Sequence, residues 1–171
     1  MSELLLEDAA AADLPAVAAL MNAAYREAPP GWASESGLLG GQRTDPATLA
    51  ADVAEGTRLL IHRDGAALIA SVQLREAARN RWYLGGLTIA PARQGQGLGD
   101  RTLRAAEAWV RSEGGSMIEM TVIAQRSGLI AWYERRGYAR TGETRPFPYG
   151  DTRFGEPRRG DLHFVVLEKP L

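Results

Sequence analysis

Residues 91–103 read PARQGQGLGDRTL, with glycines at the alternate positions 95, 97 and 99. The stretch follows the apolar run WYLGGLTIA (82–90) and precedes a stripe in which Leu103, Ala106 and Val110 recur at i, i+3 and i+7. It therefore reads as a strand-to-helix connection. Glycines let several backbone N–H groups turn the same way. The first amides of the following helix have no internal partners, and that helix end carries about half a positive charge. Such a turn is an anion cradle. The same glycines would equally serve a tight turn and close helix–sheet packing, and the loop alone does not choose between the two. A dinucleotide fingerprint counted from Gly95 needs glycine at position 100, where Asp100 stands, and the Gly-Lys-Ser/Thr ending of a P-loop is absent. Asp100 suits the first turn of a helix but opposes a bound phosphate, an effect that Arg93, Arg101 and Arg104 offset.

Outward from this loop the pattern is α/β. Residues 13–25 place Leu14, Val17, Leu20, Met21 and Ala24 on one helical stripe, with Asp13 as N-cap and Pro15 in the first turn. The Gly/Ser/Pro-rich stretch PPGWASESGLLGGQR reads as a loop, and Thr44 or Asp45 before Pro46 opens a short helix with Leu49 and Val53 inward. RLLIH, Arg63-Asp64-Gly65 and AALIASVQL predict a hairpin, since glycine accepts the positive φ of the turn. After the glycine loop the helix stops at Gly114-Gly115, SMIEMTVIA is a strand, SGLIAWYERR is a short helix ended by Gly137, and DLHFVVLE is a final strand. TRPFPYGDTRFGEPRRG is a long loop of the kind that carries function. Hairpin strands followed by β-α-β-α-β predict one mixed sheet.

Composition removes several function classes. The 171 residues carry 20 basic and 21 acidic side chains, a net charge of −1, which points to neither nucleic acid nor a membrane surface. No cysteine is present, so an acyl-cysteine intermediate and a thiolate metal site are excluded. The opening MSELLLEDAA is too short in apolar residues for a signal-peptide core, and no run approaches the roughly 20 apolar residues of a membrane span. The expectation is one soluble, cytoplasmic domain over residues 1–171.

The residues Pro91 and Gln94-Gly95-Gln96-Gly97-Leu98-Gly99 resemble the Gln/Arg-x-x-Gly-x-Gly/Ala signature of the GNAT superfamily of acyl-CoA-dependent N-acetyltransferases. GLTIAP resembles the splayed strand that precedes that signature. RSGLIAWYERRGY resembles the family's later motif, a short helix ending in Tyr, polar residues, Gly and an aromatic. The resemblance implies a mixed, mostly antiparallel twisted sheet, splayed near its centre and flanked by helices. It implies acetyl-CoA as acyl donor and no metal. Gln94, Gly95, Gln96, Gly97, Leu98, Gly99 and Asp100 would hold the pyrophosphate, and Leu87, Thr88 and Ile89 would pair through their backbones with the pantetheine arm. Arg126 stands where many members have Asn, and an arginine there would reach a phosphate. Tyr133 falls at the position of the general acid that protonates the departing thiolate. A homodimer is the oligomeric state the resemblance suggests.

Read from spacing alone, Tyr133 shares a stripe with Leu129 and Ile130 and is a core residue. For the base, Glu119 on the strand SMIEMTVIA is the first choice; Thr121, orienting a water, and His163 are the others, and His62 beside the hairpin turn reads as solvated. Tyr25, Trp32, Glu35, Arg145 and Tyr149, with Phe147 and Asp151, are expected to recognise a small-molecule or peptide amine, one that also bears an anionic group. Arg153, Arg158 and Arg159 read as a solvated rim. The function expected is transfer of acetyl to a primary amine; the alternative is a non-catalytic acyl-CoA sensor. A serine hydrolase lacks its Gly-x-Ser-x-Gly elbow.

Overall fold

The structure is a computed structural model and describes residues 3–27 and 34–171. Its strands are β1 (Glu7–Asp8), β2 (Leu39–Gly40), β3 (Arg58–Asp64), β4 (Ala67–Ala78), β5 (Arg81–Ile89), β6 (Met117–Ile123), β7 (Ala139–Pro146), β8 (Glu156–Pro157) and β9 (His163–Pro170). The helices are α1 (Leu14–Asn22), α2 (Pro46–Ala54), α3 (Leu98–Ser112) and α4 (Ser127–Glu134). Seven strands form one sheet in the order β1-β3-β4-β5-β6-β9-β7, and β2 pairs with β8 in a separate two-stranded piece. Within the large sheet only β5 and β6 run parallel.

Both faces of the sheet are covered, and three consecutive residues of β3 show it. Leu60 belongs to the cluster containing Leu103, Ala106 and Val110 of α3, whereas Leu59 and Ile61 belong to that of Val17 and Met21 of α1 and Leu49 of α2. Alternation along a strand sends neighbours to opposite faces, so α3 lies on one side and α1 and α2 on the other.

Local chemistry explains most boundaries. Asp45 caps α2 by accepting from the Thr48 amide at 2.8 Å, with Pro46 at the first helical position. Asp13, by contrast, does not cap α1. The chain is already helical through the 3-10 turn Ala11–Asp13, and the Asp13 carboxylate accepts from the Ala10 amide at 2.8 Å and pairs with Arg63. Val53 is corrected too: it is 44% exposed, and Leu49 alone anchors α2. The α1 stripe continues past Asn22 as a single π-helical turn, Ala23–Glu27, which carries Tyr25 and Arg26.

Two irregularities shape the centre of the sheet. Between the pairs Ser71–Thr88 and Gln73–Gly85, Val72 faces both Gly86 and Leu87, a β-bulge in β5. Gly86 has φ of 58°, and a Cβ there would stand 2.7 Å from Gln73 Oε1 and 3.2 Å from Met21 Cε, so a side chain would need both a left-handed backbone and displacement of those two side-chain ends. On its other side β5 pairs with β6 only at Arg81–Met117, Trp82–Ile118 and Tyr83–Glu119. Past these pairs β5 stays with β4 and β6 stays with β9 as far as Ile123–Phe164, so the sheet splays.

Candidate active site

The splay opens onto a cavity of about 130 Å³, lined by Leu84–Leu87 of β5 and Met120–Ile123 of β6. The glycine loop beyond β5 is outside this lining, its Gln96, Gly97 and Asp100 bordering a second pocket with Arg101, Arg104 and Arg136, so the cleft has a backbone end and a side-chain end.

At the first end lies the glycine loop. Ala90 bonds through its amide to the Ile69 carbonyl at 2.8 Å, so Thr88 also faces β4, opposite Ser71, and by alternation the Ile89 amide turns to the splay. The carbonyls on that side are held: Tyr25 Oη donates to Leu87 O at 2.8 Å, and Gln94 Nε2 to Ile89 O at 3.2 Å. Gly95 and Gly97 both have positive φ, 76° and 75°, with open space where a Cβ would be. Arg101 is the first amide of α3 to bond back, to Gly97 O at 3.2 Å, which leaves the turn Gly95–Asp100 with its N–H groups unclaimed by backbone carbonyls of the described residues. The residues present thus fit a diphosphate: free donors, a helix start and no side chain in the way. Asp100 has its own partners. Its carboxylate accepts from Arg136 Nε at 2.8 Å and pairs with Arg104 at 3.0 Å, and the Arg136 guanidinium stacks on Trp132 at 3.8 Å.

At the second end the lining is side chains. Arg26 and Arg126 both pair with Glu35, the former through Oε2 and the latter through Oε1 at 3.4 Å. All three are buried, with side-chain exposures of 4%, 8% and 12%, and burial lowers the Arg26 pKa from its ordinary value. Arg43 stacks over the Tyr25 ring at 5.2 Å. Tyr83 Oη and Thr121 Oγ1 bond at 2.7 Å across the base of the splay. Leu39 and Phe154, brought by the β2–β8 piece and the turn before it, together with Phe147 and Phe164, supply apolar wall.

Tyr133 of α4 lines the same cavity and is 5% exposed, packed edge-on to Tyr138 at 5.6 Å. Burial pushes its hydroxyl, like that of Tyr25, above the ordinary tyrosine range, so both stay protonated at neutral pH. The core reading and the lining position are both true of it: the ring packs while the residue borders the cleft.

A profile of the Acetyltransferase (GNAT) family matches residues 17–138. The chain belongs to the GNAT acetyltransferase family. As a member it is an acyltransferase that uses acetyl-CoA as donor. No curated protein sequence matches the chain. Among solved structures, the ribosomal-protein-alanine N-acetyltransferase of Brucella melitensis is 19% identical with a TM-score of 0.71, covering 98% of this chain and 100% of that one. The ribosomal-protein-S18-alanine N-acetyltransferase of Escherichia coli is 18% identical with a TM-score of 0.70 over 97% and 92%. A GNAT family acetyltransferase of Elizabethkingia anophelis with acetyl-CoA bound is 14% identical with a TM-score of 0.68 over 100% of both chains. At these identities the likeness is one of fold.

The GNAT cleft gathers some of the expected residues and leaves others outside. Tyr25, Glu35, Leu87, Arg126, Tyr133, Thr121 and Phe147 line it. Glu119 does not. It sits where β5 and β6 are still paired, bonded to Arg81 at 3.2 Å with Arg145 at 4.0 Å. Arg145 lies outside as well, on Glu143, and Tyr149 staples its own loop, donating to Arg159 O and accepting from the Leu162 amide. Asp151 holds Arg153, and His163, the other candidate base, is exposed and outside the lining. Trp32 lies outside the described residues. Arg26, Leu39, Arg43, Tyr83 and Phe154 were not foreseen. Only Arg26, one residue past Tyr25 on the same turn, had a nearby signal.

Proposed function

We propose that this GNAT protein acetylates a primary amine of a small molecule or peptide by direct attack while both substrates are bound, with Tyr133 as general acid. The observation that carries this reading is a buried, protonated tyrosine bordering a cavity that opens where β5 leaves β6 and turns its Ile89 amide to the splay.

An amine with pKa near 10.4 is mostly protonated at pH 7 and must lose a proton before it attacks. In this reading the Tyr83–Thr121 pair, which borders the cavity, orients a water for this. Glu119 shares the sheet face with both but lies outside the cavity lining, on Arg81, so in this reading it would receive the proton only through that water. Attack on the acetyl carbon concentrates charge on its oxygen, and the Ile89 amide is the donor available to it. As the C–S bond breaks, the electron pair leaves on sulfur, and Tyr133 delivers its proton there. The turn Gln94–Asp100 holds the pyrophosphate throughout, and Arg126 at the start of α4 reaches the cleft rather than the solvent. With no cysteine in the chain, the acetyl group passes to the amine without resting on the protein.

The test is to mix the protein with acetyl-CoA and a panel of amines and follow free thiol. Amine-dependent release is the expected result. Tight acetyl-CoA binding without release would instead support a sensor, and release without amine a hydrolase. Tyr133→Phe should lower kcat by about 100-fold or more with little change in acetyl-CoA affinity; unchanged turnover would remove Tyr133 from the chemistry.

A further inference from the structure

The cavity holds more positive charge than its own acid can neutralise. Arg26, Arg43 and Arg126 line it, and Glu35 is the one carboxylate among the lining residues. Both Glu35 oxygens are taken, one by Arg26 and the other by Arg126. Arg43 has no carboxylate within ion-pair distance among the described residues, and the stretch 28–33, APPGWA, has no acid to offer. Arg43 is nevertheless fixed in place. Its amide bonds to Asn22 Oδ1 at 2.6 Å, Asn22 Nδ2 donates to Thr44 O at 2.9 Å, and its guanidinium lies over Tyr25, whose hydroxyl is tied to Leu87. A second polar atom is also left over: Arg26 Nε is buried without a hydrogen-bond partner among the described residues. A guanidinium held on an aromatic ring at the mouth of a part-buried cavity is a fork for a planar, two-oxygen anion.

We propose that the acceptor amine itself carries a carboxylate, and that Arg43 binds it. This rests on the transferase reading, and it narrows the acceptor to amino-acid-like molecules small enough for the cavity. The carboxylate docks on Arg43 at the α1 side, and the amine is thereby presented to the splay beside Leu87 and Tyr133. Glu35 already faces Arg26 and Arg126 with its two oxygens, which leaves Arg43 as the lining guanidinium with no carboxylate at ion-pair distance among the described residues and directs the incoming anion there.

Two measurements test this. In turnover, amino acids are compared with their carboxamides. The wild type is expected to prefer the carboxylate in kcat/KM by about 10- to 100-fold, the worth of a charge-assisted hydrogen-bonded pair. In Arg43→Gln this ratio should fall towards one, and Arg43→Lys should keep part of it. Binding is measured in parallel, without chemistry: N-acetylglycine and N-acetylalanine against their amides, added to the protein loaded with CoA and followed by calorimetry. Selective binding of the acids that Arg43→Gln abolishes supports the site even if no amine is turned over, which separates its fate from that of the transferase reading. Equal binding of acid and amide by the wild type, or a preference that survives Arg43→Gln, overturns it.

Discussion

The turn Gln94–Asp100 presents backbone amides, whereas the far end of the cleft presents guanidinium, carboxylate and phenol groups from separate stretches around residues 25–26, 35–43, 83–87, 121–133 and 147–164. The first is written in a run of glycines and costs the fold little, because its donors face open space and its geometry is that of a helix start. The second is held by charges that have been taken out of water and must stay paired. One end should therefore be separable from stability and the other should not.

The largest effect expected from this contrast is at Glu35. Glu35→Ala would take from Arg26 and Arg126, with side-chain exposures of only 4% and 8%, the carboxylate they share. Removing one member of a buried ionic network typically costs about 3–5 kcal/mol, which thermal and urea unfolding would show directly. A loss below about 1 kcal/mol would mean that water already solvates the network, on the scale of exposed pairs.

Gly97→Asp probes the other end. Aspartate tolerates the left-handed conformation better than most residues and suits a helix N-cap, so folding stability should change by no more than about 1 kcal/mol. Acetyl-CoA affinity should fall by about 100-fold, since a fixed carboxylate stands where the pyrophosphate meets the amides, and each such charge-assisted bond is worth roughly 1.5–3 kcal/mol. Calorimetric titration reads the affinity and melting reads the stability. If both fall together, the loop is part of the fold's support and the contrast fails.

Alkali offers a third way to separate the ends. Tyr25 and Tyr133 of the cleft, and Tyr138 behind it, have hydroxyl pKa values raised first of all by burial, and Glu107, which accepts the Tyr138 hydroxyl at 3.0 Å, raises that one further. A folded value above the unfolded one of about 10 means that the stability contribution is complete below pH 10 and is lost as pH rises beyond it, at about 1.4 kcal/mol per pH unit for each tyrosine until its folded value is reached. Urea midpoints measured from pH 8 to 11 should be flat and then drop, and Tyr138→Phe should soften the drop. A drop beginning well below pH 10 would point to other groups.

How much of this could be read from the sequence follows from the same distinction. The turn Gln94–Asp100 was legible as a strand-to-helix connection because its alternating glycines sit between segments that carry periodic signals, as in Leu103, Ala106 and Val110, while its reading as a pyrophosphate cradle came from the resemblance. Asp64-Gly65 placed the hairpin for the same local reason. The side-chain end of the cavity was legible only in part. Tyr25 and Glu35 were anticipated by chemistry, but Arg43 and Phe154 enter the cavity only because Asn22 fixes residues 43–44 and the β2–β8 pairing folds the late loop back. Neither device leaves a pattern in sequence. Arg145 and Tyr149 had suitable side chains at a suitable place in the chain, yet β7 runs along β9 at the sheet edge with Arg145 on Glu143, and Tyr149, in the turn past β7, bonds to its own loop's backbone. Asp13 failed as a cap because a preceding 3-10 turn had already started the helix.

The smallest predicted effect concerns Asp100, where the two ends of the argument meet in one side chain. As a carboxylate in the first turn of α3 it is favourable to the helix and unfavourable to a phosphate on the same amides. Its contacts explain why it is there: by accepting from Arg136, which also donates to Trp132 O at 2.9 Å, it fastens the start of α3 to the end of α4, next to Tyr133. Both carboxylate and guanidinium are about a quarter exposed, so the pair is worth at most about 1 kcal/mol. Asp100→Asn should therefore lower the unfolding free energy by up to about 1 kcal/mol while tightening acetyl-CoA by about two- to fivefold, as the opposing charge leaves the helix start. Opposite signs in the two measurements would show a residue kept for the junction between α3 and α4 at the donor's expense. Weaker binding together with lower stability would show instead that the junction itself sets the geometry of the amides.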